Sequence, residues 1–132
     1  MKRCLLDSSF LIDLLNETAA NRRGPARAWV ARNPRADLWV SPVTYAEVLE
    51  GADDVEAVRE AFRAFRWQTI GRQHGERAAF IRRSAGRRLG ENDAWQAAVA
   101  ERMGAILVGH DPKAFARLGA YYEDHRASPG AC

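Results

Sequence analysis

A chain of 132 residues has the size of one domain that buries its own core without disulfides. With 47% hydrophobic and 28% charged residues, and no apolar run near the roughly 20 residues of a membrane span, its composition is typical of a soluble globular protein. Two cysteines exclude a disulfide framework, and the N-terminus does not read as a signal peptide. We therefore expect one cytoplasmic domain over residues 1–132, with a flexible tail at 126–132.

The basic residues are almost all arginine, 18 of 20, and the net charge is +3. Arginine binds phosphate in a bidentate manner, although a high-GC codon bias is an equally good explanation of its abundance. If four of the 17 acids share one metal site, 13 acids face 20 basic residues elsewhere. A basic exterior around an acidic pocket favours a polyanionic ligand.

Apolar periodicity predicts strands that alternate with helices along the first half of the chain. The predicted strands are Cys4–Leu6, Asp37–Val40 and Trp67–Ile70, and a polar connection is expected from Asn16 to Gly24. The predicted helices are one that contains Phe10, Leu11, Leu14 and Leu15, then Pro25–Arg32, Ser41–Glu50 and Val55–Phe65.

The second half continues the alternation. Its predicted helices are His74–Leu89 and a segment from Glu91 to Met103, followed by the strand Ala105–Val108, a short helix ending near Leu118 and an edge strand at Tyr121–Tyr122. This pattern predicts an α/β fold: a three-layer α/β/α sandwich with a mostly parallel central sheet of four or five strands. The strand order stays open.

Four acids follow or face the ends of these elements. Asp7 ends the first strand, Asp111 follows the strand at Ala105–Val108, Asp93 lies in the first turn of its helix, and Glu47 lies inside another helix. In an open α/β sheet the ligand site lies beyond the carboxyl ends of the strands, where Asp7 and Asp111 are expected.

Each acid taken alone has an ordinary explanation. Asp93 could be a helix-start charge, Asp111 a turn residue before proline, Glu47 a solvent-facing side chain, and Asp7 a helix cap. Taken together they would repel one another unless a cation lies among them. Oxygen ligands without neighbouring histidine or cysteine favour Mg²⁺ or Mn²⁺, which polarise phosphodiesters.

Four segments in this order resemble the PIN domains and, within them, the VapC-type toxin ribonucleases. They read Leu-Leu-Asp-Ser-Ser-Phe-Leu-Ile-Asp from Leu5, Ser-Pro-Val-Thr-Tyr-Ala-Glu-Val-Leu-Glu-Gly from Ser41, Asn-Asp-Ala-Trp-Gln-Ala-Ala from Asn92, and Ile-Leu-Val-Gly-His-Asp-Pro-Lys-Ala-Phe from Ile106. The resemblance covers nearly the whole chain. It implies a parallel sheet between helices and a metal-dependent ribonuclease site.

Carried over position by position, the resemblance makes Asp7, Glu47, Asp93 and Asp111 the catalytic and metal-binding acids. Ser9 matches a small polar residue that helps to hold the first acid. Mg²⁺ or Mn²⁺ is the implied cofactor and RNA the implied substrate, and a small antitoxin and a homodimer are the implied partners.

The chain departs from the family pattern near its fourth acid. Gly109 stands where the family often has threonine, and Ala114 stands where another aspartate is frequent, so this corner depends on Asp111 alone. Glu50, one turn from Glu47, is a rival for the helical acid.

Two other functions remain open from the sequence. One is an inert interaction module that binds RNA or protein, in which Phe80 and nearby arginines form the interface. The other is a phosphatase of the haloacid-dehalogenase type, which also has an aspartate after its first strand. That chemistry requires a second acid two residues later, where this chain has Ser9.

Overall fold

A computed structural model of the chain describes residues 2–85, 89–111 and 122–127. Within these ranges five strands alternate with six helices. The strands are β1 (Arg3–Leu6), β2 (Asp37–Val40), β3 (Arg66–Trp67), β4 (Ile106–Gly109) and β5 (Tyr122–Asp124). The helices are α1 (Ser8–Ala19), α2 (Pro25–Arg32), α3 (Pro42–Glu50), α4 (Val55–Phe62), α5 (Arg72–Ala85) and α6 (Glu91–Met103).

All five strands are parallel and lie in the order β3-β2-β1-β4-β5. Leu5 of β1 pairs with Trp39 of β2 on one side and with Leu107 of β4 on the other. The predicted parallel α/β sheet is confirmed, and its strand number is five. β1 is the central strand, so the residue that follows it lies at the middle of the carboxyl edge.

Alternate residues of β1 pack against helices on opposite faces of the sheet. Cys4 and Leu6 belong to a core with residues of the first four helices, including Phe10 and Trp29, whose rings meet edge to face at 5.5 Å. Leu5 belongs to a second core with Leu107 and α6. Because both faces are covered, the central strands β1 and β4 have consecutive apolar residues, Cys4–Leu6 and Ile106–Val108, rather than an alternating pattern. The three-layer arrangement follows from this.

The boundaries of several elements differ from their predicted positions, three of them by three residues or more. α4 ends at Phe62 rather than Phe65, because the next three residues close tight turns with i→i+3 hydrogen bonds. β3 covers only Arg66–Trp67, and the Gln68 N–H makes the last bond to β2, at the Val40 carbonyl (2.9 Å). α1 continues to Ala19, so the predicted connection from Asn16 is wrong in its first four residues.

Glu17 explains the extension of α1. Its side chain is buried and accepts hydrogen bonds from the backbone N–H groups of Gly24 (2.9 Å), Ala26 (3.0 Å) and Arg27 (2.9 Å). The first turn of α2 has unpaired N–H groups, and this carboxylate satisfies them from another helix. Glu17 therefore connects α1 to α2 by hydrogen bonds. Its neighbours in the sequence do not indicate this role.

Several predictions fall wholly or partly outside the described residues. These are the end of α5 at residues 86–88, the short helix before Leu118, the Tyr121 half of the edge strand and the tail from 128 onward. Arg126 makes bidentate contact with Asp13, through Nε (2.8 Å) and a terminal nitrogen (2.9 Å). None of the helices in the described part of the chain has the length and hydrophobicity needed to cross a membrane.

Candidate active site

Asp7 lies at the point where the sheet changes its direction of winding. The chain leaves β1 into α1 on one face, and β4 beside it is entered from α6, which packs on the other face. Such a switch point leaves a crevice at the carboxyl edge of the sheet. The Asp7 N–H donates to the Val108 carbonyl (2.9 Å), so the backbone of β1 and β4 holds the residue in place.

The Asp7 side chain is buried, with 6% of the residue exposed. Asp7 is the N-cap residue of α1, but its side chain makes no standard capping hydrogen bond. Burial raises the pKa of its carboxyl, and Asp111 adds to this effect. The Ser9 hydroxyl, which donates to Asp7 Oδ2 at 2.9 Å, and the nearby N–H groups of Ser8 and Ser9 offset part of it.

Asp93 lies in the first turn of α6, as predicted, and faces the same crevice. Burial, followed by the charges of Asp7 and Asp111, raises its pKa to about 6 from the ordinary 3.8. A helix-start charge on an exposed surface would instead be stabilised as a carboxylate by the helix dipole. The raised pKa shows that Asp93 lies among other acids.

Glu47 projects from α3 toward the same acids. Its pKa is raised by burial and by the charges of Asp7, Asp93 and Glu50, and a hydrogen bond with Asn92 lowers it in part. Glu47 is half-buried whereas Glu50 is exposed, so the structure favours Glu47 as the helical acid. The sequence predicted no role for Asn92. Its position directly before Asp93 is the one sequence feature that places it near the acids.

Asp111 lies two residues beyond β4, with intermediate exposure. Its N–H donates to the Tyr122 hydroxyl at 2.6 Å, which anchors the loop to β5. Its charge raises the pKa of both Asp7 and Asp93. The structure therefore places all four predicted acids within electrostatic reach of at least one other.

Gly109 allows the loop after β4 to pass close to Asp7. A Cβ at this position would lie 2.7 Å from Asp7 Cβ and 2.9 Å from Ser9 Oγ. The Ser9 hydroxyl accepts a hydrogen bond from the His110 N–H at 2.8 Å and thereby links this loop to Asp7. In this chain, the packing around Asp7 would have to shift to admit the threonine that the family often has here.

The donor set fits a hard divalent cation in its chemistry. The four acids supply carboxylate oxygens, and two of them, Glu47 and Asp93, line an open recess together with residues 90–92. Among the described residues, no three His, Cys, Asp or Glu side chains converge closely enough to form a preformed metal cage. Mg²⁺ is commonly held by one or two carboxylates with several waters retained, so a loose set of acids is compatible with it.

The family model for the PIN domain matches residues 4–121. The chain belongs to the PIN domain family. No curated protein sequence matches it significantly.

Solved structures share the fold over almost the whole chain. A toxin–antitoxin complex from Klebsiella pneumoniae is 25% identical, with 92% of this chain and 97% of that chain covered and a TM-score of 0.76. VapBC2 from Rickettsia felis, bound to a promoter DNA fragment, is 15% identical, with coverage of 92% and 98% and a TM-score of 0.76. VapC20 from Mycobacterium tuberculosis, a toxin that cleaves the sarcin-ricin loop, is 21% identical, with coverage of 86% and 94% and a TM-score of 0.67.

Gly109→Ala is expected to lower the free energy of unfolding by about 1–3 kcal/mol, because its Cβ overlaps Asp7 and Ser9. The same overlap moves Asp7, so Mn²⁺ binding measured by calorimetry should weaken. Gly51→Ala is the matched control, since a Cβ there meets nothing within 4 Å. Equal effects of the two substitutions would contradict the close approach at Gly109.

Asp93→Asn is expected to stabilise the metal-free protein near neutral pH. The pKa of Asp93 is about 6 in the folded chain and 3.8 when unperturbed, so between these values the folded state binds more protons than the unfolded state. The free energy of unfolding therefore falls as pH rises through this window and stays lower above it. Asparagine removes the penalty, which is about 1–2 kcal/mol after allowance for solvent screening of a partly exposed group.

Urea denaturation in EDTA at a pH near 7 and a pH near 4 measures this effect. The increase in the free energy of unfolding caused by Asp93→Asn should be present at the higher pH and nearly absent at the lower one. Asp53→Asn, on the exposed turn before α4, is the control and should change neither value. A gain from Asp93→Asn that is independent of pH would contradict the raised pKa.

Proposed function

We propose that this chain is a metal-dependent endoribonuclease and the toxin of a type II toxin–antitoxin pair. The observation that carries the proposal is the gathering of Asp7, Glu47 and Asp93 from three separate elements, where Asp7 raises the pKa of both Glu47 and Asp93, and Asp93 raises that of Glu47. A PIN domain with solved toxin relatives is the context in which such a cluster supports RNA hydrolysis.

Within this proposal, Asp7 and Asp93 hold Mg²⁺ or Mn²⁺, and Glu47 and Asp111 complete the acidic site. The bound cation supplies polarisation of the phosphodiester and favours ionisation of the attacking water. Ser9 holds the Asp7 carboxylate through the 2.9 Å hydrogen bond, so that one oxygen keeps a fixed direction. Asn92 holds Glu47 in the same way.

Glu47 is suited to receive the proton of the attacking water. Its raised pKa makes it a better base than an ordinary surface carboxylate, and it stays in contact with solvent through the recess beside Asp93. Asp111 is assigned to the site because its charge raises the pKa of Asp7 and of Asp93.

The arginine-rich exterior supplies the RNA-binding surface in this proposal. Of the 20 basic residues, 18 are arginine, and the net charge is +3 despite the acidic site. Contacts with the RNA backbone release counterions, so cleavage should weaken as salt concentration rises. A cytoplasmic location and a homodimer, both expected from the sequence, belong to the same proposal.

An apolar groove beside α1 is the feature that supports the proposal of an antitoxin partner. The groove lies between α1, α2 and α4, and its lining includes Leu14, Leu15, Val30, Ala31, Phe62 and Phe65. An amphipathic helix binds such a groove through apolar side chains at helical spacing. We propose that the apolar face of an antitoxin segment covers it; a toxin–antitoxin complex from Klebsiella pneumoniae shares the fold of this chain.

The two alternatives from the sequence receive less support. An inert module gives no reason for raised carboxyl pKa values in a crevice, although Phe80 is 58% exposed and lies 4.9 Å from the Arg77 guanidinium. A haloacid-dehalogenase phosphatase requires a second acid at position 9, where Ser9 instead donates to Asp7. Mn²⁺ calorimetry separates the nuclease from the inert module, which should bind no cation in this recess.

Purified protein should cleave single-stranded RNA in Mg²⁺ or Mn²⁺ and stop when EDTA is added. Asp7→Asn and Asp93→Asn should each reduce kcat by about 100-fold or more, because a ligand and its charge are lost. Glu47→Gln should reduce it by about tenfold or more. Glu50→Gln is the matched control on the same helix and should keep the wild-type rate, whereas unchanged activity in all four variants would refute the assignment.

Ala31→Glu should abolish binding of the antitoxin, because it places a charge in the apolar groove at an exposed position that the fold tolerates. The measurement is co-purification with the small protein encoded beside this chain's gene, followed by inhibition of RNA cleavage. Ala79→Glu, on the exposed side of α5, is the control. Binding by both variants would place the antitoxin elsewhere.

A further inference from the structure

A continuous chain of buried polar side chains lies beneath the acidic site. The Ser41 hydroxyl donates to Gln96 Oε1 at 2.6 Å, and the Gln96 amide nitrogen donates to the Thr44 hydroxyl. The Thr44 hydroxyl reaches the Leu6 carbonyl at 3.4 Å. Ser41 and Thr44 are 0% exposed and Gln96 is 1% exposed, so the polar chain is shielded from bulk solvent.

These side chains give up the bonds that they would ordinarily make. Ser41 is the N-cap residue of α3, yet its hydroxyl makes no capping bond and points to Gln96 instead. Thr44 lies in the first turn of α3, where a threonine commonly bonds to its own helix, but its hydroxyl reaches β1. Gln96 is surrounded on α6 by buried alanines and valine. A buried polar chain is costly unless its members pair with one another, so it specifies one arrangement of the helices.

Three members of this chain lie close in sequence to one of the acids Asp7, Glu47 and Asp93. Gln96 lies three residues after Asp93 on α6, and Thr44 lies three residues before Glu47 on α3, so in both cases the two residues share a helix face. Leu6 is the residue directly before Asp7. The polar chain therefore connects the three elements that carry the acids, one turn or one residue away from each acid.

We propose that Gln96, together with Ser41 and Thr44, is a positioning group for the ribonuclease site. This inference rests on the proposed function. The glutamine side chain offers a donor and an acceptor at a fixed separation, and it uses both to hold α6 against α3 and β1. An apolar side chain of similar volume fills the same space but lets the two helices slide by a fraction of an ångström. Such a shift changes the separation of Asp93 and Glu47.

The test separates positioning from stability by comparing two kinds of variant. In the triple variant Ser41→Ala, Thr44→Val, Gln96→Leu, every partner becomes apolar together, so no buried polar group is left unpaired and the fold should be retained. Val99→Ala is the control, because Val99 packs in the apolar core with Leu5 and Leu107 and makes none of the polar chain's hydrogen bonds, so its truncation lowers stability alone. Urea unfolding, Mn²⁺ calorimetry and RNA cleavage are measured on both.

We expect the triple variant to be at least as stable as Val99→Ala, but to bind Mn²⁺ about tenfold more weakly and to lose roughly 10- to 100-fold in kcat with little change in KM. Val99→Ala should keep wild-type Mn²⁺ affinity and kcat. A triple variant with wild-type Mn²⁺ affinity and kcat would overturn the inference.

Single substitutions at Thr44 give a second measurement that does not depend on the triple variant. Thr44→Ser keeps the hydroxyl and should retain Mn²⁺ affinity and kcat, whereas Thr44→Val removes it and should lose both. Equal behaviour of the two overturns the inference. If wild type binds Mn²⁺ but cleaves no RNA, the proposed function fails, and the Mn²⁺ affinities of the variants still decide the positioning role. Wild type without Mn²⁺ binding overturns both.

Discussion

The burial of the Asp7 carboxylate at the end of the central strand is the constraint around which the structure is arranged. A carboxylate with 6% exposure is costly in an apolar environment, and other acids nearby increase that cost. The Ser9 hydroxyl and adjacent N–H groups offset only part of it. In the proposed function, a bound divalent cation would supply the counter-charge that offsets the rest. The stability lost at Asp7 is thus linked to the proposed function.

The parallel sheet makes this arrangement possible by placing unrelated segments at one edge. β1 and β4 are neighbours, so Asp7 and Asp111 follow adjacent strand ends although about 100 residues separate them in the chain. α3 and α6 approach the same edge and bring Glu47 and Asp93. The two apolar cores on either face of β1 stabilise the sheet against the repulsion among these acids.

Polar contacts between elements set the finer geometry. Glu17 joins α1 to α2 through three backbone N–H groups, and the Ser41–Thr44–Gln96 chain joins α3 and α6 to β1. Gly109 completes the set by admitting the β4 loop to within contact distance of Asp7. Each of these residues looks ordinary in its own segment, and each acts on a segment distant in sequence.

The sequence alone was sufficient for the alternation of strands and helices and for the parallel α/β class, because hydrophobic period and helix-start chemistry are local properties. It also predicted the four acids that are proposed as the site. It also identified Ser9 beside Asp7 through the family pattern. Only the tertiary structure decided the strand order, the preference for Glu47 over Glu50, and the roles of Asn92, Gln96 and Gly109. The physical reason is that the effect of a buried hydrogen bond or of a missing Cβ depends on the residues around it. Those residues lie on other elements, distant in the sequence.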